Sequence, residues 1–284
     1  MFGRLPIGQW GEAAFSAVIT HAKLPFDYFA LVTVAINGAI KHALLAPPLL
    51  LAIAILAVVA WSSVSLRFAV AMTVALALLG NQGLWDASMT TLAMVLTATI
   101  LSMAIALPLG IAIGTNKAVR PVCLPVLDFI QTMPRFVYLI PAVILLGIDV
   151  APAVFATMTL AVPGPARLIA TGLMEVDSHI VEAGRASGCS PWQLLLKIQL
   201  PLAVPSILLG LNQCIMMALS MTVNASLIGA GGLGSEILTA ISSLDAGQGL
   251  VAGFGVFILA ILLDRITQGF ARSVMAHRHW AASA

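Results

Sequence analysis

Charged residues are scarce in this chain. Only 8% of its 284 residues are Asp, Glu, Lys or Arg, whereas 61% are hydrophobic, and the mean hydropathy is +1.07. A soluble globular domain typically carries about 25% charged residues. The composition therefore excludes a globular domain with one anchor and predicts an all-α, polytopic membrane protein built as a helical bundle. Residues 1–30 lack a basic head followed by an apolar core, so we expect no cleavable signal peptide.

Cysteine and the common catalytic motifs are also rare or absent. Cys123, Cys189 and Cys214 are odd in number and far apart, so they predict neither a disulfide framework nor a metal site. The sequence contains no G-x-x-x-x-G-K-S/T loop for nucleotide phosphates and no H-E-x-x-H zinc motif. Its net charge of +2 is too small for a nucleic-acid partner. We expect no cofactor or metal held by this chain itself.

Long apolar runs predict seven membrane spans. They cover residues 44–61, 66–80, 87–115, 121–147, 151–173, 202–228 and 250–270. The run 121–147 contains Pro134, among other prolines, which predicts a helix that enters from the interface and kinks at proline. Residues 1–43 carry an amphipathic pattern that predicts an interfacial helix on the membrane surface. The same pattern fits equally well the frayed start of the first span.

The loop charges predict the orientation of these spans. One set of loops and the tail carry the basic residues Lys117, Arg120, Arg185, Lys197, Arg272 and Arg278. The opposite loops carry the acidic residues Asp86, Asp149, Glu236 and Asp245. Because basic loops stay in the cytoplasm, the first set predicts a cytoplasmic loop at 177–201 and a cytoplasmic tail at 271–284.

The loop at 177–201 carries its own folding signals. Ser178 is placed to cap a short helix, and Gly188 is placed to end it, because glycine enters the left-handed region without steric cost. Ser190 and Gln193 form a capping-box pattern for a second helix, which Pro201 is expected to end. The pattern predicts two short helices hinged at a glycine.

Each predicted short helix has a distinct face. The first presents small residues that let a partner's backbone come close: Ala183, Gly184, Ala186 and Ser187. The second presents an apolar stripe at helical spacing, expected to hold the element against the membrane helices: Trp192, Leu195, Leu196 and Gln199.

The spacing of seven residues in this loop matches a known pattern: E-A-A, three residues, G, nine residues, I, one residue, L-P. The matching residues are Glu182, Ala183, Gly184, Gly188, Ile198, Leu200 and Pro201, with Gly184 in place of the second alanine. The loop thus resembles the one that permease subunits of bacterial ABC importers present to their ATPase. The resemblance implies that these residues couple the permease to ATP hydrolysis by a separate subunit. Glu182 is expected to fix the loop through hydrogen bonds or a basic partner.

Five further stretches resemble the permeases for quaternary ammonium solutes, namely glycine betaine, choline and proline betaine. They are 131–141, 197–202, 218–221, 228–234 and 263–268. The resemblance implies a type I permease core of five spans over residues 87–270, with two additional N-terminal spans in 44–80. It implies a homodimer in the bacterial plasma (inner) membrane, two copies of a cytoplasmic ATPase that binds the ATP, and a periplasmic or extracellular substrate-binding protein. Such a subunit is not itself an enzyme.

Polar residues within the span 202–228 are candidates for the translocation path, because a lipid-facing amide is costly. The candidates are Asn212, Gln213, Ser220, Met221 and Asn224. Packing in the core is an alternative role for Met221. Asp128 and Arg135 are seven residues apart, hence on one helix face, and are expected to pair or to reach the interface.

Other interpretations are weaker. Residues 229–234 fit G-x-G-x-x-G, but a dinucleotide site needs a preceding strand, so a closely packed turn is the better interpretation. An ion-coupled secondary transporter would need a carboxylate inside the membrane, for which Asp128 is the candidate. An intramembrane enzyme would need a paired nucleophile and base, and the histidines are scattered.

Overall fold

The computed structural model describes the backbone of residues 7–282 and the side chains of residues 23–273. The described part of the chain consists of helices joined by short turns. Its helices are α1 (Ile7–Leu45), α2 (Leu49–Ser63), α3 (Leu66–Asn81), α4 (Trp85–Thr115), α5 (Arg120–Thr132), α6 (Leu139–Leu146), α7 (Val150–Ala161), α8 (Pro163–Met174), α9 (Ser178–Ala186), α10 (Pro191–Leu194), α11 (Leu200–Ala225), α12 (Leu233–Ser243) and α13 (Ala246–Ala282). Predictions that concern the backbone of residues 1–6 and 283–284, or the side chains before residue 23 and after residue 273, lie outside the described residues.

Five of the described helices are long and apolar enough to cross a membrane: Lys23–Leu45, Trp85–Thr115, Val150–Met174, Pro191–Ile228 and Ala246–Ser273. A sixth crossing is possible for the pair Arg120–Thr132 and Arg135–Leu146, whose helices meet at 105°. All of these helices except Lys23–Leu45, together with the bent pair, overlap the five predicted core spans.

The bend between α5 and α6 has a local cause. Pro134 disfavours a helical conformation at the residue before it, and Met133 accordingly adopts an extended backbone with φ −71° and ψ 142°. The 3₁₀ turn Arg135–Tyr138 then starts in a new direction. The predicted kink at proline is confirmed.

Small residues bring the central helices together. A Cβ added to Gly110 of α4 would lie 2.7 Å from the Ala166 carbonyl oxygen of α8. A Cβ added to Gly172 of α8 would lie 2.3 Å from Ser206 Cβ of α11. Both approaches are possible only without a side chain, which is how membrane helices commonly pack closely. α4, α8 and α11 therefore form the centre of the bundle.

The N-terminal helix α1 lies against the bundle, while its predicted place on the membrane surface stays a prediction. α1 packs against α4 and α7: the Asn37 side chain donates to Thr97 Oγ1 at 3.3 Å, and the ring of Phe29 contacts Phe155 edge-on at 5.6 Å. The polar stripe of α1 thus faces other helices, because Asn37 finds its hydrogen-bond partner there. The helices α2 and α3, predicted as two spans, have 15 and 16 residues, short of the ~20 that a straight crossing needs.

Candidate functional site

The first short helix of the loop, α9, begins one residue earlier than predicted. Asp177, not Ser178, is its N-cap, and its carboxylate accepts from the His179 backbone N–H at 2.9 Å. At the other end Gly188 has φ +79°. The Gly188 N–H donates to the Arg185 carbonyl and the Cys189 N–H to the Gly184 carbonyl, which is a Schellman motif. The predicted glycine hinge is confirmed.

The second short helix has the predicted start but not the predicted end. Ser190 and Gln193 form a complete capping box, with both reciprocal hydrogen bonds present. α10 then passes through a π-turn, Leu195–Gln199, directly into α11. Pro201 therefore does not end the helix. The π-turn widens the backbone where the Pro201 ring would otherwise meet the carbonyl four residues earlier.

The two short helices pack on each other through Gly184. Gly184 is buried, and a Cβ there would lie 2.6 Å from Ile198 Cδ1 and 2.9 Å from Leu194 Cδ1. Gly184 is therefore not part of the open face of small residues, which keeps Ala183, Ala186 and Ser187. The close approach explains why glycine suits the position where the known pattern has a second alanine.

The second short helix is anchored to the membrane helices through only part of the predicted stripe, namely Leu195, whereas Trp192 and Leu196 are exposed. Leu194 and Leu195 are buried, and Leu195 packs with Ile169 and Leu173 of α8. Trp192, by contrast, is 66% exposed. The π-turn shifts the register of the helix, so the predicted period of 3.6 residues does not hold across it. The loop is thus joined rigidly to α8 and α11.

The outer face of this loop is unoccupied by the rest of the described chain. Glu182, Ala183 and Ala186 are exposed. The Glu182 carboxylate has no recorded hydrogen bond or ion pair with any side chain between residues 23 and 273. The expected partner of Glu182 within the chain is therefore not found in that range, and its charge is open to another protein.

The candidate path residues on α11 fall into two groups. Gln213 and Ser220 are exposed and Asn224 is half-buried, seven and four residues apart along one face of the helix. Met221 is 1% exposed and packs with Leu139 and other apolar residues. Asn212 points to α13, where its Nδ2 donates to Asp264 Oδ1 at 3.0 Å.

Asp128 and Arg135 do not pair with each other. The 105° bend separates them, because it turns the chain away from the α5 axis before Arg135. Asp128 instead forms an ion pair with Arg167 of α8, with the two side chains 56% and 41% exposed. Arg135 donates from Nη1 to Ser220 Oγ on α11.

Five of these polar side chains lie together on one face of the chain's surface. The face consists of Asp128, Arg135, Arg167, Gln213 and Ser220. Gln213 lies over Gly164, one turn from Arg167: a Cβ on Gly164 would be 2.9 Å from Gln213 Cδ. α11 rises about 1.5 Å per residue, so Gln213 and Ser220 lie about 20 and 30 Å along the helix from Leu200. Polar and charged side chains within a membrane span typically face another helix, a partner or a water-filled cavity rather than lipid.

Asp264 is a polar residue whose setting the sequence did not indicate. Its carboxylate accepts from Asn212 Nδ2 and from Gln268 Nε2 at 2.8 Å. It therefore ties α11 to α13. An intramembrane carboxylate is by itself a signal worth following, but the partner 52 residues away in the sequence is visible only in the fold.

The glycine-rich stretch 229–234 forms a tightly packed turn. Gly229, Gly231 and Gly232 all have positive φ. The Leu233 N–H donates to Thr91 Oγ1 of α4 at 2.8 Å, and a Cβ on Gly232 would lie 2.5 Å from the same oxygen. The interpretation as a packed turn is confirmed, since helices flank it on both sides.

Comparisons with known proteins agree with this architecture. The family model described as "Binding-protein-dependent transport system inner membrane component" matches residues 106–275. The chain is 40% identical over 285 residues to the glycine betaine/proline betaine transport system permease protein ProW of Escherichia coli (strain K12), covering 97% of this chain and 78% of ProW. It is 42% identical over 233 residues to the glycine betaine transport system permease protein OpuAB of Bacillus subtilis (strain 168), covering 82% of each.

Further similarity concerns a third betaine permease and the fold. The glycine betaine/carnitine transport permease protein GbuB of Listeria monocytogenes is 46% identical over 197 residues, 69% of this chain and 70% of GbuB. A chain of the MetNI methionine ABC transporter, in inward-facing conformations, superposes with a TM-score of 0.61 at 22% identity, covering 65% of this chain and 93% of that one. The latter shows the shared fold alone. The chain belongs to the binding-protein-dependent transport system inner membrane components, and is a multi-pass transport permease rather than an enzyme.

Proposed function

We propose that this chain is the membrane subunit of an ATP-driven importer for a quaternary ammonium solute: glycine betaine, proline betaine or choline. The observation that carries the proposal is the loop built from α9 and α10. It has an exposed face with the unpaired Glu182 carboxylate on one side and a rigid connection to α8 and α11 on the other. The similarity of the whole chain to ProW, OpuAB and GbuB, whose names specify betaine permeases, supports this class of solute.

The loop is suited to transmit movement. Both short helices have capped ends, and Gly184 presses one against the other with no room for a methyl group. A push on α9 is therefore passed to α10 and, through the π-turn, to α11 as a rigid body. In this proposal Glu182, Ala183, Gly184, Gly188, Ile198, Leu200 and Pro201 form the coupling element for the ATPase.

The energy source and the solute come from other proteins. The chain has no G-x-x-x-x-G-K-S/T loop for nucleotide phosphates. In this proposal two copies of a cytoplasmic ATPase hydrolyse the ATP and drive the movement of the loop. An external binding protein delivers the solute. The basic loops, including Arg185 and Lys197, support a cytoplasmic position for the coupling element and for the C-terminus.

The polar face supports a homodimer with the path between its two copies. Its charged and amide groups lie on the outside of the protomer, where lipid would be a poor solvent for them. A second copy facing it encloses these groups in a water-filled path. Gln213, Ser220 and Asn224 then line the path, whereas Asn212 and Met221 stabilise the packing of α11.

The test compares two glycines in the same backbone conformation. Gly188 and Gly83 have φ +79° and +72°, and an added Cβ meets nothing within 4 Å at either. Alanine at either site carries a strain of about 1–2 kcal/mol. We expect Gly188→Ala to lower solute uptake and solute-stimulated ATP hydrolysis in proteoliposomes containing the ATPase and binding protein, and Gly83→Ala to leave both near the wild-type level. Equal effects of the two variants would argue against a coupling role for the loop. Uptake that needs neither partner protein would refute the proposal as a whole.

A further inference from the structure

Arg135 occupies an unusual place in the fold. It opens the 3₁₀ turn Arg135–Tyr138 directly after the 105° bend. Its side chain is exposed on the protomer surface and reaches across to Ser220 Oγ of α11. The bend thus presents a guanidinium group to the exposed face of a membrane helix.

The contact lies within the predicted membrane span 202–228, between its centre and the end of α11. Ser220 follows Leu200 by 20 residues in a helix of 26, which places it about 30 Å along an axis of about 39 Å at 1.5 Å per residue. Asn224 lies one turn further on the same face, and its Nδ2 has only a long contact of 3.9 Å to the Met221 sulfur. A guanidinium, a hydroxyl and an amide donor therefore follow one another along this face.

Arg135 forms no ion pair with any described side chain. Among the side chains of residues 23–273, the recorded ion pair is Arg167 with Asp128, and Arg135 has no carboxylate within 4 Å. Arginine does not lose its proton in proteins, and Ser220 is neutral. An unpaired charge within a membrane span is costly unless it faces water, a partner or an anionic group that binds there.

We propose that Arg135 and Ser220 form a transient subsite for the carboxylate of a zwitterionic betaine during its passage. The inference rests on the proposed function and adds a selectivity to it. The guanidinium fork can donate two parallel hydrogen bonds to a carboxylate, and the Ser220 hydroxyl can turn to donate a third. Glycine betaine carries this carboxylate, whereas choline has a hydroxyl in its place. The subsite therefore favours betaines over choline.

The first experiment measures glycine betaine uptake by proteoliposomes that contain the permease, its ATPase and its binding protein. Hydrogen bonds to charged groups contribute about 1.5–3 kcal/mol, so we expect Arg135→Gln to lower uptake about 10- to 100-fold. ATP hydrolysis stimulated by the loaded binding protein should persist. Arg135→Lys keeps the charge without the fork and should fall between the two, which also guards against a folding defect of the neutral variant. Arg67→Gln removes an exposed charge on α3 and serves as the control.

The second experiment measures binding directly. Equilibrium dialysis of radiolabelled glycine betaine against the complex in nanodiscs, without binding protein, should show at least tenfold weaker binding for Arg135→Gln, and excess choline should compete poorly. Equal binding by wild type and Arg135→Gln, or equal competition by choline and unlabelled glycine betaine, would overturn the subsite. In that case normal wild-type uptake and stimulated ATP hydrolysis would leave the proposed function standing. Loss of both in the wild type would refute the function instead.

Discussion

Replacing Gly184 by alanine tests how the two short helices α9 and α10 of the loop at 177–201 pack against each other. The substitution restores the second alanine of the pattern that the loop resembles. In this chain, however, the added methyl group would lie 2.6 Å from Ile198 Cδ1 and 2.9 Å from Leu194 Cδ1. Helix propensity and packing therefore act in opposite directions at one position.

The two effects differ in size. Alanine in place of glycine stabilises a helix interior by about 1 kcal/mol. An additional methyl group in a filled space costs about 1–3 kcal/mol, and the lower part of that range applies because both obstructing atoms are ends of flexible side chains. The net expectation is a loss of about 0–1 kcal/mol, taken up as a displacement of α9 from α10.

The assay is the affinity of the purified ATPase subunit for the permease in nanodiscs. A loss of about 1.4 kcal/mol corresponds to a tenfold higher Kd. Ile198→Val removes the obstructing Cδ1 atom. By itself it should lower the free energy of unfolding by at most about 1.5 kcal/mol. The double variant Gly184→Ala/Ile198→Val should bind better than the sum of the single effects predicts, by about 1 kcal/mol of coupling. Gly253→Ala, at a helical glycine with nothing within 4 Å of its added Cβ, controls for helix propensity.

Strict additivity would refute this reasoning. If Ile198→Val had the same effect with and without Gly184→Ala, the two residues would not be in contact. A Gly184→Ala variant that bound the ATPase about 1 kcal/mol more tightly would show that helix propensity, not packing, decides at this position.

Two further predictions concern the rest of the bundle. Asp128→Arg and Arg167→Asp should each lower uptake by placing like charges together on the polar face, and the double exchange should restore part of the uptake; a double variant no better than either single one would show that the pair does not act as a unit. Gly232→Ala should destabilise the protein by about 1–3 kcal/mol more than Gly231→Ala, because its Cβ meets Thr91 Oγ1 at 2.5 Å whereas the latter meets only Thr90 Cγ2 at 4.0 Å. Thermal unfolding in detergent measures the difference, and equal losses would contradict the packing argument.

Local signals in the sequence predicted much of the structure of the loop at 177–201. The glycine hinge and the Ser190–Gln193 capping box depend on atoms within five residues of each other. Such features need no knowledge of the fold. The prediction failed where a neighbour offered a better or different interaction: Asp177 took the cap expected of Ser178, and a π-turn carried the helix past Pro201.

Long-range partners were beyond the reach of the sequence. Seven-residue spacing suggested that Asp128 and Arg135 share a face, but spacing assumes an unbroken helix. Because of the bend at Pro134, Asp128 pairs with Arg167, 39 residues away, and Arg135 donates to Ser220, 85 residues away. The environment of Asp264 depends in the same way on Asn212.

What the residues alone determined is the class of the molecule, because composition and hydrophobic runs reflect the solvent that surrounds each segment, and a short motif reports its own backbone. Which side chains meet across the bundle was decided only in three dimensions. Gly110, Gly172 and Gly184 let backbones approach to distances that no spacing rule contains, and these approaches set which polar groups of α5, α8 and α11 share one surface.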